Sequence, residues 1–255
     1  MLLYAGKVVG FLLGLFFFAA IIYGINRLKD RVIRDIPGLA VVEESVGRAV
    51  EMGRPVHDCP GLGGLHDIYA QQTIAGLSMI GYVARLCASR GAKLIVTIPR
   101  DHVLPAAEQI VREAYVRENA IEHWSPDIVR FLPNQNALMA YSMGMFEREQ
   151  IKANILFGAY YWEAIVLADH GASVGAINVC GSATQSQLPT LVASCDYTMI
   201  GDEIFAASSI ISGDKAQIGS IAGQDIVKIA IMAFMIMAVL AALLGSNLIV
   251  NIINL

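Results

Sequence analysis

Two long uncharged runs bracket this chain. Residues 8–25 and 229–250 contain no Asp, Glu, Lys or Arg. A helix rises 1.5 Å per residue and a bilayer core is about 30 Å thick, so roughly 20 apolar residues suffice to cross it. Both runs therefore predict membrane-spanning helices, over 1–26 and 227–255, and everything between them must fold as a domain tethered at both ends. A secretory leader is the weaker reading of the first run, because only Lys7 precedes it and no small-x-small cleavage site stands out after Ala19-Ala20. The second run is interrupted by Gly245, Ser246, Asn247 and Asn251, so its later half needs a partner helix or the interface.

Arg27, Lys29, Arg31 and Arg34 follow the first run directly. The segment 27–37 thus forms a basic collar that anionic lipid headgroups would attract. By the positive-inside rule it places the central part in the cytoplasm and both termini outside. Cys59, Cys87, Cys180 and Cys195 are widely spaced, which in a reducing compartment predicts free thiols. No Cys/His pair has zinc-ligand spacing, so no metal is expected. The net charge of −4 and the lack of a basic stripe elsewhere exclude nucleic acid as an expected partner.

Residues 38–226 read as one α/β domain. Apolar, β-branched runs at 56–59, 93–98, 154–157, 173–180 and 197–200 predict strands. Helical periodicity fills 66–89, 105–119, 160–170 and 184–194. Strands separated by helices mean βαβ units, hence a Rossmann-like, largely parallel sheet with helices on both faces. Residues 120–153, with Pro126 and Pro133, fit this alternation poorly and suggest an insertion or interface.

Ligands of such sheets bind where the strands end. Gly61, Gly63 and Gly64 follow the first strand and open a helix, as a phosphate loop does, although His66 stands where a dinucleotide fingerprint wants glycine. Arg100 and Asp101 follow the second strand. Gly181, Ser182 and Thr184 follow the fourth, where helix capping by a hydroxyl explains them equally well. His57 and Cys59 share a strand face, but neighbours at that spacing rarely make the hydrogen bond a thiol nucleophile requires. No catalytic constellation assembles, and no cofactor is implied.

Small residues in the two spans carry a different signal. Gly6, Gly10 and Gly14 form a tandem G-x-x-x-G, and Ala238, Ala241, Ala242 and Gly245 form a comparable line in the second run. Such residues let helices approach closely, either with each other or with further subunits.

The segments Gly53-Arg54-Pro55-Val56-His57, Val129-Arg130-Phe131-Leu132 and Cys195-Asp196-Tyr197-Thr198-Met199-Ile200-Gly201-Asp202-Glu203 resemble an uncharacterised prokaryotic membrane protein family with a domain of unknown function. Phe205-Ala206-Ala207-Ser208 and Gly223-Gln224-Asp225 extend the likeness over residues 38–226. The resemblance implies a domain attached to membrane spans and brings no activity with it. A fainter likeness, in Ala193-Ser194-Cys195-Asp196 and Glu203, is to crotonase or signal-peptide-peptidase-like folds. It would imply acyl-thioester or peptide chemistry, for which the chain offers no oxyanion-hole motif or Ser/Lys pair. The expected function is a membrane-anchored assembly or scaffold subunit that forms a homo-oligomer or docks with other membrane-complex subunits. The alternative is a membrane-tethered enzyme or sensor that binds a nucleotide or phosphate.

Overall fold

The computed structural model describes residues 2–28 and 35–243. Lys29, Arg31 and Arg34 of the basic collar lie outside them, as does Gly245. The chain divides into two compact units, Met1–Arg34 with Gly213–Leu255, and Asp35–Ser212.

The first unit is a helix pair, α1 (Leu2–Arg27) and α9 (Lys215–Leu243). Both are long and apolar enough to cross a membrane. The second helix begins well before residue 227, taking in the amphipathic stretch with Asp225 and Lys228. The pair closes where small residues meet. A Cβ on Gly24 would lie 2.2 Å from the Gly219 carbonyl oxygen, and one on Gly223 would lie 2.6 Å from that of Ala20. Ala20-x-x-x-Gly24 thus faces Gly219-x-x-x-Gly223, backbone against backbone, the geometry in which dispersion contacts favour helix association. Gly10 and Gly14 take no part: a Cβ on either meets nothing within 4 Å among the described residues. Gly6, Ala238, Ala241 and Ala242 lie on these helices, but their surroundings fall outside the described residues.

The second unit is α/β. Its elements are α2 (Pro37–Glu51), β1 (Val56–Gly61), α3 (Ala70–Arg90), β2 (Leu94–Ile98), α4 (Leu104–Arg117), β3 (Val129–Phe131), α5 (Gln135–Glu149), β4 (Ala153–Ala159), α6 (Glu163–Ser173), β5 (Ile177–Ser182), α7 (Leu188–Ser194), β6 (Tyr197–Ile200) and α8 (Glu203–Ser212). All six strands are parallel, in the order β3-β2-β1-β4-β5-β6. This is the doubly wound arrangement, and its topological switch point lies between β1 and β4. Residues 120–153 are no insertion. They supply edge strand β3 and helix α5, the crossover that returns the chain to β4. Asn134 caps α5, its Oδ1 accepting from the Ala137 amide at 2.9 Å.

Strand alternation sends successive side chains to opposite faces. Val56, Val96, Ile98, Ile155, Phe157, Val179 and Met199 pack in one core with α2, α3, α4 and α8. Cys59, Ile95, Leu156 and Cys180 pack in the other, with α5, α6 and α7. Strand β5 begins four residues later than 173, because residues 163–173 continue as α6 and the chain turns at Gly175, which has φ +71°.

Cys180 and Cys195 form a disulfide, contrary to the expectation of free thiols throughout. The pairing is invisible in the spacing because it follows from strand adjacency. With Cys180 opposite Thr198 in the β5–β6 ladder, the chain reaches β6 past Cys195, and the two Cα atoms stand 6.4 Å apart. Cys59 and Cys87 are free and buried.

Candidate functional site

The strand ends at the switch point are built by close backbone approach. Gly61 has φ +79°, and a Cβ there would lie 2.2 Å from the Ala159 carbonyl oxygen. The Leu62 amide donates to that same oxygen at 2.8 Å. Gly158 mirrors this against the Pro60 carbonyl at the bulge between β1 and β4. Only glycine tolerates these approaches, which accounts for Gly61 without a ligand.

Beyond Gly61 the loop is fastened to its neighbours. Gly63 lies against Thr73 Oγ1 and Tyr69 of α3, and Gly64 lies against His102 and Asp67. The Gly64 and Tyr69 amides donate to the two carboxylate oxygens of Asp67, each at 2.8 Å. The Leu65 amide donates to His102 Nε2 at 3.1 Å, and Arg100 Nε donates to the Leu62 carbonyl at 2.7 Å. Asp101 is exposed. It accepts from the His102 amide at 2.8 Å and faces its Nδ1 at 3.1 Å, contacts that hold its carboxyl below the usual range.

The second predicted loop is tied to the same helix. Gln72 of α3 accepts from Ser182 Oγ at 3.3 Å and from the Ala183 amide at 3.0 Å, and its amide nitrogen donates to Thr184 Oγ1 at 3.4 Å. Ser182 in turn accepts from the Thr184 amide at 3.2 Å. Gly181 serves packing: a Cβ there would strike the Phe157 ring at 2.4 Å. The structure therefore brings both predicted loops to the first turns of α3.

These strand ends are rich in amides, and side-chain carboxylates already accept from several of those in the loops. Asp67 sits before the first turn of α3. Glu163, the first residue of α6, is fully buried. It accepts from the Tyr161 amide at 2.9 Å and from Gln135 Nε2 at 2.5 Å. Burial raises its pKa, partly offset by those bonds. The backbone amides that these two carboxylates bind belong to the residues before α3 and α6, not to the first helical turns, and their charge lies on the side that the helix dipole favours. Tyr69 and Tyr161 pack edge to face beside them, with ring centroids 5.9 Å apart.

The largest polar constellation lies inside the sheet, where sequence reasoning had not placed it. His57 Nδ1 contacts Asn154 Oδ1 at 2.7 Å, and His57 Nε2 contacts Thr97 Oγ1 at 2.9 Å. Asn154 Nδ2 donates to Asn178 Oδ1 at 2.8 Å and to the Leu167 carbonyl at 3.2 Å, and Asn178 Nδ2 donates to the Ala168 carbonyl at 3.0 Å. His57, Asn154 and Asn178 are in register across β1, β4 and β5. Since Asn154 spends its amide hydrogens on Asn178 and Leu167, its oxygen must accept. His57 therefore carries its proton on Nδ1 and accepts from Thr97 at Nε2. Burial lowers the His57 pKa to about 4, so the ring is neutral at pH 7.

His57 and Cys59 do share a face, but they do not form a reactive pair. His57 is saturated by Asn154 and Thr97, and burial pushes the Cys59 thiol up to about 11. A nucleophilic cysteine needs the opposite shift and access to solvent. Their neighbour Asp58 points to the other face, fully buried, with no side-chain partner and no well-formed hydrogen bond to either carboxylate oxygen, the Cys59 backbone amide easing its charge only in part. Burial raises its pKa well above the ordinary value. Among the described residues no group of three or more His, Cys, Asp or Glu side chains is arranged to hold a metal ion.

Residues 2–253 match the model of a family described as a domain of unknown function, DUF6754. No curated protein and no solved structure matches the chain. The chain belongs to this family.

Proposed function

We propose that this DUF6754 protein is a membrane-anchored assembly subunit, which associates with copies of itself or with other membrane subunits through its helix pair and displays the α/β unit in the cytoplasm. One observation carries the reading: the helix pair closes at Ala20, Gly24, Gly219 and Gly223 and, among the described residues, leaves Gly10 and Gly14 open on α1. Around them Phe11, Leu13 and Phe18 are 60–70% exposed. In lipid, large apolar side chains need no protein cover, but a small-residue groove gains dispersion contacts only when another helix fills it. Arg27 at the end of α1, continuing into the basic sequence beyond it, supports the cytoplasmic orientation.

The strand ends support the same reading from another direction. A nucleotide or phosphate bound there would have to displace Asp67 and Glu163 from amides they already satisfy. Its negative charge would meet theirs within a few ångströms, a repulsion strong in a partly buried site.

Native mass spectrometry of the full-length protein, gently released from its own membrane, tests the proposal. An oligomer or hetero-complex without a nucleotide-sized adduct is expected. The double change Gly10→Leu with Gly14→Leu should reduce it to smaller species, while leaving the α1–α9 contact at Gly24 intact. A monomer or dimer that carries a nucleotide-sized mass would overturn the reading and move attention to the strand-end loops.

A further inference from the structure

We infer that residues 183–194 form a strap whose far end is closed by an exchangeable disulfide clasp, Cys180–Cys195, opened by dithiol reductants and reclosed by disulfide oxidants. The inference stands independently of how the protein assembles.

The strap is fastened at its ends and weakly in between. At its start, Gln72 holds Ser182, Ala183 and Thr184. Within it, α7 is only 7 residues long and buries Leu191 alone, while Val192 is exposed. At its far end the disulfide ties the residue after α7 to the middle of β5. Asp196 then joins the sheet, with Asn178 donating to its carboxylate at 2.7 Å and the Asp196 amide donating to the Asn178 carbonyl at 3.0 Å. Those bonds anchor the chain after the clasp and leave α7 held by the burial of Leu191, one hydrogen bond from Thr198 Oγ1 to the Leu191 carbonyl at 3.2 Å, and the sulfur bridge. Closing a loop of this length removes conformational freedom that returns when the bond opens.

The two sulfurs are unequal. Cys180 is fully buried in β5, whereas Cys195 is half-buried beside Ser194, whose hydroxyl lies 3.8 Å from its sulfur. An incoming thiolate therefore reaches Cys195. The new S–S bond forms there, the Cys180–Cys195 bond breaks, and Cys180 leaves as a thiolate that takes a proton. The second thiol of the reductant then displaces Cys195 and leaves with the first as a disulfide. Two electrons pass from dithiol to protein, and the reverse step needs a disulfide oxidant. Cys59 and Cys87 do not compete, since both are buried.

The test uses the full-length protein in detergent, with dithiothreitol as reductant and a maleimide as the probe of free thiols. Intact mass reads labelling, and hydrogen exchange reads the strap. The oxidised protein should take no label. After reduction Cys195 should label, and exchange over 183–194 should rise about tenfold or more while β2 at 94–98 stays protected. Cys195→Ser should show the fast exchange with or without reductant. Three results would overturn the inference: no labelling after reduction, labelling with unchanged exchange over 183–194, or loss of protection at 94–98 together with the strap. A Cys195→Ser protein that exchanges as slowly as the oxidised one would do the same.

Discussion

His57 and Asp58 are neighbours on one strand, equally buried, and treated in opposite ways by the two faces of the sheet. On the side of α5 and α6, His57 spends its ring nitrogens on Asn154 and Thr97, and Asn154, with Asn178 beyond it, is bonded onward to α6 carbonyls. On the side of α2 and α3, Asp58 enters an apolar layer of Val96 and Ile155, with no well-formed hydrogen bond to either oxygen. The comparison separates two uses of buried polarity. A saturated network fixes register, because sliding β4 by one residue would turn Asn154 to the other face and leave His57 Nδ1 and Asn178 Oδ1 without their partner. A lone acid fixes nothing and costs stability whenever it ionises.

The largest effect should come from cutting the network at its centre. Asn154→Leu removes the acceptor of His57 Nδ1 and the donor to Asn178 Oδ1 together. It should destabilise the α/β unit by about 3–5 kcal/mol, as for loss of a buried hydrogen-bond network. Urea unfolding of the full-length protein in detergent measures this. A loss below about 1 kcal/mol would mean the network contributes little to the fold.

A second test uses pH. His57 falls from 6.5 to about 4 on folding, so its contribution is full above pH 6.5 and is lost as pH falls toward 4. The difference corresponds to about 3 kcal/mol. Asp58 runs the other way. Its raised folded pKa makes the fold most favourable below its ordinary value of 3.8, with stability lost as pH climbs from there through the folded pKa. In the unaltered protein the two slopes oppose one another from about pH 4 upward toward 6.5, for as long as Asp58 stays protonated in the folded state. Asp58→Asn should remove the opposing slope and so steepen the net rise of stability with pH. A profile unchanged by Asp58→Asn would show that Asp58 does not ionise on unfolding in that window.

The smallest effect sharpens the other arm. At pH 8 Asp58→Asn should raise stability by about 1–3 kcal/mol, since a neutral amide costs less to bury than a carboxylate forced to ionise or bind a proton. Asp58→Leu should act in the same direction if its volume is accommodated. Destabilisation by both changes would indicate that Asp58 has a partner in solution.

Most of the sheet was legible because its strands are apolar runs with turn residues at their ends. The strand at 197–200 coincides with β6, and 93–98 and 154–157 overlap β2 and β4 closely. The edge strand β3 escaped because an alternation of three residues is too short to distinguish from chance, and α5 escaped because its apolar residues do not gather on one face. The polar network left a trace in the sequence: Asn154 and Asn178 each interrupt an apolar strand. Joining them to His57 required the register, which no local pattern supplies. In the helix pair the residues at the point of closure were harder to read. Ala20-x-x-x-Gly24 and Gly219-x-x-x-Gly223 stand in the sequence too, but the second lies beside Asp225 and Lys228 in a stretch too charged to read as membrane-facing.

The contact between Gly24 and Gly219 also sets an order of events in time. The roughly 195 residues between them must leave the ribosome before α1 can meet its partner. At about 5–20 residues per second that is an interval of roughly 10–40 s. Throughout it the small-residue groove at Ala20 and Gly24 stands open, available to any other newly made helix nearby. Synthesis of α9 ends this vulnerability, so a ribosome stalled before residue 219 would release a chain whose α1 is still seeking a mate.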